Sequence, residues 1–340
     1  MWLEVLIGAL IGTTAFSLLF SLPLYLLVLL VVIRNRNVEP FNSEFFTIFI
    51  ALGFVDISCY LLFLTKKVFF LGYVPEVLQP FNEPNKIASF FYYPFWVFAF
   101  LQYQFTFILS LNRFICITFP NFYERNWNST LTRQILVICI LYSLLISLPV
   151  PFSHCQITMY TTEVENTTYT LYYGPMTTNK MTESYLKFLW ACHVYGLMIS
   201  SVLFYGVMLR KLRSTKLIDN RKRLELQMFY IGLMIFLLNF VFTVYFFVRD
   251  FLPSRASTNV HLHEWLLYFI SDIYDLPNGI MLWCTSSSIR KLVLEPLANQ
   301  YPWISRIVYG AGVGPHTTRL FTPTGKYRNA TAKLPMNEIS

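Results

Sequence analysis

Three acidic side chains, Asp56, Asp272 and Asp275, lie inside stretches of sequence that are otherwise apolar. A charge in an apolar environment costs free energy unless it is paired or hydrogen-bonded, so these residues need partners. Such a cluster can take a cation, water or a ligand and bias how the surrounding helices are arranged. The same acids can also be protonated or hydrogen-bonded groups that only hold helices together. The sequence leaves both interpretations open for Asp56 and Asp275, which we group as a polar core.

A second set of residues indicates a pocket for a small organic molecule. Such pockets are mostly apolar and aromatic, with a few polar groups that fix the orientation of the ligand. The same aromatic side chains are also typical of ordinary packing and of the aromatic belt at a membrane surface. We expect a pocket, and its predicted lining residues are Trp96, Gln102, Tyr103, His193, Trp265 and Asp272.

Motifs for metal binding or catalysis are not found. His261 and His263 in HLHEW are two residues apart, whereas two metal ligands on one helical face are four apart, and no further ligands accompany them. The sequence also has no hydrolytic triad, P-loop or HExxH motif. We therefore predict no metal site, no cofactor and no enzymatic activity.

The composition predicts a membrane protein. Hydrophobic residues make up 55% of the 340 residues and charged residues 13%, which is about half the charged share of a soluble domain. The net charge of +8 comes from short basic clusters between apolar runs, a pattern that suits anionic lipid. Membrane lipid is therefore a predicted partner, and nucleic acid is not.

Seven apolar runs are long enough to cross a bilayer, which requires about 20 residues of helix. We predict an all-α integral membrane protein, a seven-transmembrane helix bundle. A short amphipathic helix on the inner membrane surface is expected from about residue 287, which completes a membrane domain of residues 1–294. Residues 295–340 are predicted to form a flexible tail. The seven runs are 5–33, 45–64, 88–117, 135–152, 185–209, 226–248 and 265–285.

Lysine and arginine residues determine the predicted orientation. They are concentrated after the first, third, fifth and seventh runs, and cytoplasmic loops carry an excess of positive charge. We therefore predict the N-terminus outside and the C-terminus inside. Lys66 and Lys67, at the predicted outer end of the second run, go against this rule. Asn166, in an NTT triplet of the longest predicted outer loop, agrees with the orientation and is the predicted glycosylation site.

Arg113 lies beside Asn112 near the predicted inner end of the third run, in LNRF. An arginine in this place can be an anchor that extends its charge to the membrane surface. However, seven spans with an outer N-terminus and this arginine resemble a G-protein-coupled receptor. The resemblance implies that Arg113 meets the G protein when the helices part, and that Glu225 is a candidate resting partner. Asn112, Arg221 and Arg223 are the further residues predicted to contact the G protein.

Three segments resemble a narrower family. PFNSEFFTIFIALGFVDISCYL, LSLNRFICITFPNFYERNW and DIYDLPNGIMLWCTSSSIRKLV are similar to the second, third and seventh helices of nematode serpentine chemoreceptors, class gamma superfamily including class v relatives. This resemblance implies a receptor for a chemical cue in the plasma membrane of sensory-neuron cilia. It also implies a small-molecule ligand and a heterotrimeric G protein as partners.

The chain departs from the general rhodopsin-like pattern at several motifs. It has Asn-Arg-Phe in place of Asp-Arg-Tyr, and DLPNG in the seventh run in place of NPxxY. The start of the third run has no cysteine to which Cys155 could be bridged. These departures bear on the details of activation and leave the expected fold unchanged.

A seven-span ligand-gated channel or transporter is the alternative function. It would place Asp56, Asp272 and Asp275 along a permeation path, but the sequence shows no internal repeat of the kind found in many transporters. A retinal photoreceptor is excluded, because a Schiff base needs a lysine in the seventh run and residues 265–285 contain none.

Overall fold

The structure consists of two compact units, Met1–Ile289 and Arg290–Ser340. A computed structural model describes residues 2–39, 41–70, 81, 83–164, 167–214, 220–251, 267–272, 274–286 and 289–294. In the second unit the described residues, 290–294, are helical.

Long helices form most of the first unit. Helix 1 comprises Trp2–Phe16, a π-helical segment Ser17–Ser21, and Leu22–Arg34; helix 2 is Glu44–Phe70 and helix 3 is Lys86–Thr118. Helix 4 comprises Ser129–Ser147 and Pro149–Phe152; helix 5 comprises Lys180–Trp190, a π-helical segment Ala191–Tyr195, and Gly196–Ser214; helix 6 is Asn220–Phe251. Helix 7 is described at residues 267–272 and 274–275 and as Pro277–Thr285. A short loop helix, Pro120–Asn126, follows helix 3.

Six helices in the described part of the chain, helices 1 to 6, are long and apolar enough to cross a membrane. Their outer surfaces carry large apolar side chains, such as Ile138, Leu141 and Leu145 on helix 4, which suit contact with lipid. Helix 7 bends at Leu276, before Pro277, because proline has no backbone N–H and so interrupts the hydrogen bonds of a continuous helix. The chain is thus a mostly helical, multi-pass membrane protein; a seventh span and the orientation stay predictions.

Asparagine side chains define where three of these helices begin. The Oδ1 atoms of Asn85, Asn128 and Asn179 accept hydrogen bonds from backbone N–H groups of the first turns of helices 3, 4 and 5, at 2.7–2.9 Å. These bonds satisfy donors that a helix leaves unpaired at its N-terminus. Helix 3 then runs through the centre of the unit, packed against helices 2, 4, 5 and 6, while helix 7 packs against helices 1 and 6.

A β-hairpin between helices 4 and 5 was not predicted from the sequence. Its strands, β1 (Cys155–Val164) and β2 (Thr167–Thr177), pair antiparallel and are rich in threonine and tyrosine, which favour strands. The backbone of Cys155 pairs with that of Asn85, ahead of helix 3, through N–H···O bonds of 3.0 and 3.2 Å. The Ser89 hydroxyl adds a 2.7 Å bond to the Ser153 carbonyl. Hydrogen bonds therefore attach this hairpin to helix 3.

No disulfide joins any of the six cysteines, all of which lie in the described part. Cys155 is buried at the base of the hairpin, and burial raises the pKa of its thiol. We call this end of the bundle the hairpin end. The opposite end, where helix 1 finishes at Arg34 and helix 3 at Thr118, is called the Arg113 end.

Candidate functional site

Arg113 is buried where helices 2, 3, 5 and 6 meet. Its side chain is only 5% exposed, and its guanidinium carbon lies 4.2 Å from the centroid of the Phe45 ring in the first turn of helix 2. Gly232 of helix 6 packs beside it: an added Cβ atom would lie 3.9 Å from the Arg113 Cγ, an ordinary contact, but only 2.8 Å from the Tyr205 hydroxyl of helix 5. The cation–π contact is worth about 0.5–2 kcal/mol. Arg113 thus contacts elements that would have to separate if this end opened.

The neighbouring residues fix the end of helix 3. The Asn112 amide donates to the Tyr123 hydroxyl of the loop helix at 3.2 Å, and the Tyr123 ring stacks on Trp127. Burial raises the pKa of Tyr123, so its hydroxyl stays protonated. The Lys211 ammonium of helix 5 donates to the Thr118 carbonyl at 2.6 Å. The loop helix and helix 5 are therefore both attached to the segment that carries Arg113.

A buried polar core links helices 1, 2, 3 and 7 around Asp56. This carboxylate is fully buried and accepts hydrogen bonds from the Tyr25 hydroxyl at 2.7 Å, the Gln102 amide at 2.8 Å and the Asn278 amide at 2.6 Å. Asp275, also fully buried, accepts a 3.3 Å bond from the same Gln102 amide. Its second oxygen has no hydrogen-bond partner among the described residues. Gln102, predicted as a pocket residue, thus lies in the polar core.

Asp272 forms a buried ion pair with Lys67, which joins helices 2 and 7 nearer the hairpin end. The two side chains are each 2% exposed, and the Thr14 hydroxyl of helix 1 donates to the second Asp272 oxygen at 3.1 Å. The adjacent Lys66 ammonium lies 5.5 Å from the centroid of the Tyr268 ring in helix 7. Both lysines that go against the charge rule therefore contact helix 7.

Three predicted pocket residues come together in an aromatic cluster between helices 3 and 5. Trp190 lies in the centre, with ring centroids 5.8 Å from Trp96, 5.7 Å from Phe100 and 5.3 Å from Tyr103. His193 contacts Phe100 at 5.4 Å from the π-helical segment of helix 5, a local widening that often occurs at functional sites. The Trp96 Nε1 and His193 Nε2 atoms are buried without hydrogen-bond partners in the described part. A ligand atom could satisfy them.

Hydrogen bonds continue from this cluster to helices 6 and 7. The Thr243 hydroxyl of helix 6 lies 3.1 Å from the Tyr103 hydroxyl, and the Tyr274 hydroxyl of helix 7 donates to the Asn239 side chain of helix 6 at 2.6 Å. The Tyr274 ring also stacks on Phe242 at 4.1 Å. These contacts connect the aromatic cluster to helices that also reach the Arg113 end.

Several predicted residues lie outside the described part. They are Trp265 and Asn166, together with the side chains of Arg221, Arg223 and Glu225 on helix 6. Conversely, the sequence alone predicts no site role for Lys67, Tyr25 or Asn278. Two of them had a usable signal in the sequence. Asn278 is three residues from Asp275, about one helical turn away, and Lys67 is an exception to the charge rule.

Residues 15–299 match one protein family, described as serpentine type 7TM GPCR chemoreceptor Srv. The matched range includes all three segments on which the resemblance was based, and it confirms the resemblance to class v chemoreceptors. No curated protein matches the chain. Because the family match covers most of the sequence, and because its helices are those of a multi-pass membrane protein, the chain belongs to the Srv family of nematode serpentine chemoreceptors.

Proposed function

We propose that this chain binds a small-molecule chemical cue at its outer side and activates a heterotrimeric G protein at its inner side. In this proposal the chain has seven spans, with the N-terminus outside and the C-terminus inside. The Arg113 end then faces the cytoplasm and the hairpin end faces outward. The expected location is the plasma membrane of sensory-neuron cilia.

The burial of Arg113 carries this proposal. An arginine that only anchors a helix extends its charge to the membrane surface, where the charge stays in water. Arg113 instead is 5% exposed and packs against Phe45, beside Gly232 and Tyr205. An arginine enclosed in this way becomes available to a partner when the surrounding helices move apart, which is what coupling to a G protein requires.

The aromatic cluster is the proposed ligand site. A ligand can drive the change only if it binds the open arrangement of helices better than the closed one. The contacts from Tyr103 to Thr243, and from Asn239 to Tyr274, give a ligand at the cluster a physical connection to helices 6 and 7. In the closed arrangement Glu225 of helix 6 is the proposed partner of Arg113, and Asn112, Arg221 and Arg223 contact the G protein after opening.

The test is nucleotide exchange on Gα subunits by the receptor reconstituted in lipid, without added ligand, across a panel of Gα classes. We expect basal exchange with at least one class, and we expect Arg113→Ala to abolish it. Arg34→Ala is the matched control, because Arg34 is an exposed arginine at the same end of the bundle. Exchange that is absent for every Gα class, or that is unchanged in Arg113→Ala, would contradict the proposal.

A further inference from the structure

The Lys67–Asp272 ion pair is a feature that stability alone does not explain. Both side chains are 2% exposed, and they connect helix 2 to helix 7. The desolvation of two buried charges offsets much of their attraction, so replacing such a pair by apolar residues is often neutral or stabilising. A role other than stabilising the fold is therefore needed to explain this ion pair.

The surroundings of the pair favour a negatively charged ligand. Lys67 is paired with Asp272, and Lys66 adds a further cation at the hairpin end of helix 2, so an approaching ammonium ion would be repelled and a carboxylate attracted. Asp272 holds a second hydrogen bond, from Thr14, and so keeps a donor if Lys67 changes partner. A lysine ammonium can donate three hydrogen bonds. Among the described residues, the acceptor for the Lys67 ammonium is Asp272.

Tyr60 supplies an independent observation. Its side chain is fully buried in helix 2, and its hydroxyl has no hydrogen-bond partner among the described residues. It lies close enough to Asp272 for an electrostatic interaction. A phenolic hydroxyl can donate to a carboxylate oxygen, and Tyr60 lies seven residues before Lys67, two turns away on the same face of helix 2.

We propose that Lys67 binds the carboxylate of an acidic small-molecule ligand, which replaces Asp272 as its partner, with Tyr60 donating to the second ligand oxygen. The ligand arrives as its carboxylate, and Asp272 takes up one proton from solution: an O–H bond of hydronium breaks, an O–H bond forms on Asp272 and water is left. Lys67 then pairs with the ligand, and the site stays neutral as before. Helix 7 is then released from helix 2. This inference rests on the proposed function, for which it names the chemical class of the cue: the carboxylate lies at Lys67, and the apolar part extends toward the aromatic cluster, against whose core Phe63 of helix 2 and Ile270 of helix 7 also pack.

The test is direct binding to the purified receptor in lipid nanodiscs, without G protein. The probes are straight-chain carboxylates of about four to ten carbons, and the alcohols and amines of the same lengths control for partition into lipid. We expect saturable binding of the acids alone. The double variant Lys67→Met/Asp272→Asn leaves no unpaired buried charge and should lose about 10- to 100-fold in acid affinity.

Three further variants sharpen the test. Tyr60→Phe should weaken acid binding by about 3- to 10-fold, because it removes one donor and little volume. Asp272→Asn should strengthen it by about tenfold or more, because the ligand no longer competes with a carboxylate. Lys187→Met is the control, because Lys187 of helix 5 is an exposed lysine paired with Glu183 and lies outside the proposed site; it should change affinity by less than about threefold.

Three results would overturn the inference: alcohols or amines that bind as tightly as the acids, no saturable binding by any acid of the series, or unchanged acid affinity in the double variant. Because this assay contains no G protein, its failure is distinct from a failure of Arg113→Ala to affect nucleotide exchange.

Discussion

Replacing Gly279 by alanine should force helices 1 and 7 apart. A Cβ atom at this position would lie 2.4 Å from the Tyr25 Cδ2, 2.6 Å from its Cγ and 2.8 Å from its backbone Cα. The last contact cannot be relieved by rotating a side chain, so the backbone must move. Overpacking of this kind costs about 1–3 kcal/mol. The movement also strains the hydrogen bond from Tyr25 to Asp56, which adds about 1 kcal/mol to the loss of stability. This second term offsets the gain of about 1 kcal/mol that alanine has over glycine in helix propensity.

The assay is thermal unfolding of the purified receptor in detergent, with Gly206→Ala as the control. Gly206 lies in helix 5, where nothing comes within 4 Å of an added Cβ atom, so alanine there should leave stability unchanged or raise it by up to about 1 kcal/mol. Gly279→Ala should lower the Tm by about 2–4 °C for each kcal/mol lost. Equal Tm values for the two variants would show that helices 1 and 7 do not approach as closely as described.

Two further predictions concern hydrogen bonds. Asp56→Ala should lower the Tm more than Asp56→Asn, because alanine leaves the buried donors of Tyr25 and Asn278 without an acceptor, at about 1–3 kcal/mol each; equal Tm values for the two variants would argue against this network. Ser89→Ala removes the 2.7 Å hydrogen bond to the Ser153 carbonyl and should weaken the attachment of the hairpin by about 1 kcal/mol. The measurement is hydrogen exchange of the β1 amides, which should become faster. Exchange rates that match the wild type would contradict that role for Ser89.

The sequence made some charged residues conspicuous without revealing their partners. Asp56 and Asp275 could be singled out because an acid inside an apolar run is costly. Tyr25 and Asn278 could not be assigned as partners of Asp56, because that contact depends on the rotation of helices 1 and 7 about their axes, which hydropathy does not determine. For the same reason the sequence does not decide whether Gln102 belongs to the polar core or to the aromatic cluster.

Lys67 and the hairpin show two other limits. In the sequence Lys67 is only a positive charge at a helix end, where it is evidence against the predicted orientation. Its burial against Asp272 depends on a contact between residues 205 positions apart in the chain. The length of the loop after helix 4 and its glycosylation triplet do not by themselves indicate a hairpin. The threonine and tyrosine content of β1 and β2 was a usable strand signal.

Membrane topology tests the central claim most directly, since a G protein can reach Arg113 only from the cytoplasm. The measurement places a tag on the C-terminal tail and determines both its side of the membrane and whether Asn166, which lies outside the described residues, carries a glycan in cells. We predict a cytoplasmic tag and a glycan on Asn166, with Asn166→Gln as the control that removes it. An extracellular tag with Asn166 unmodified would put Arg113 on the wrong side for a G protein and favour the channel instead.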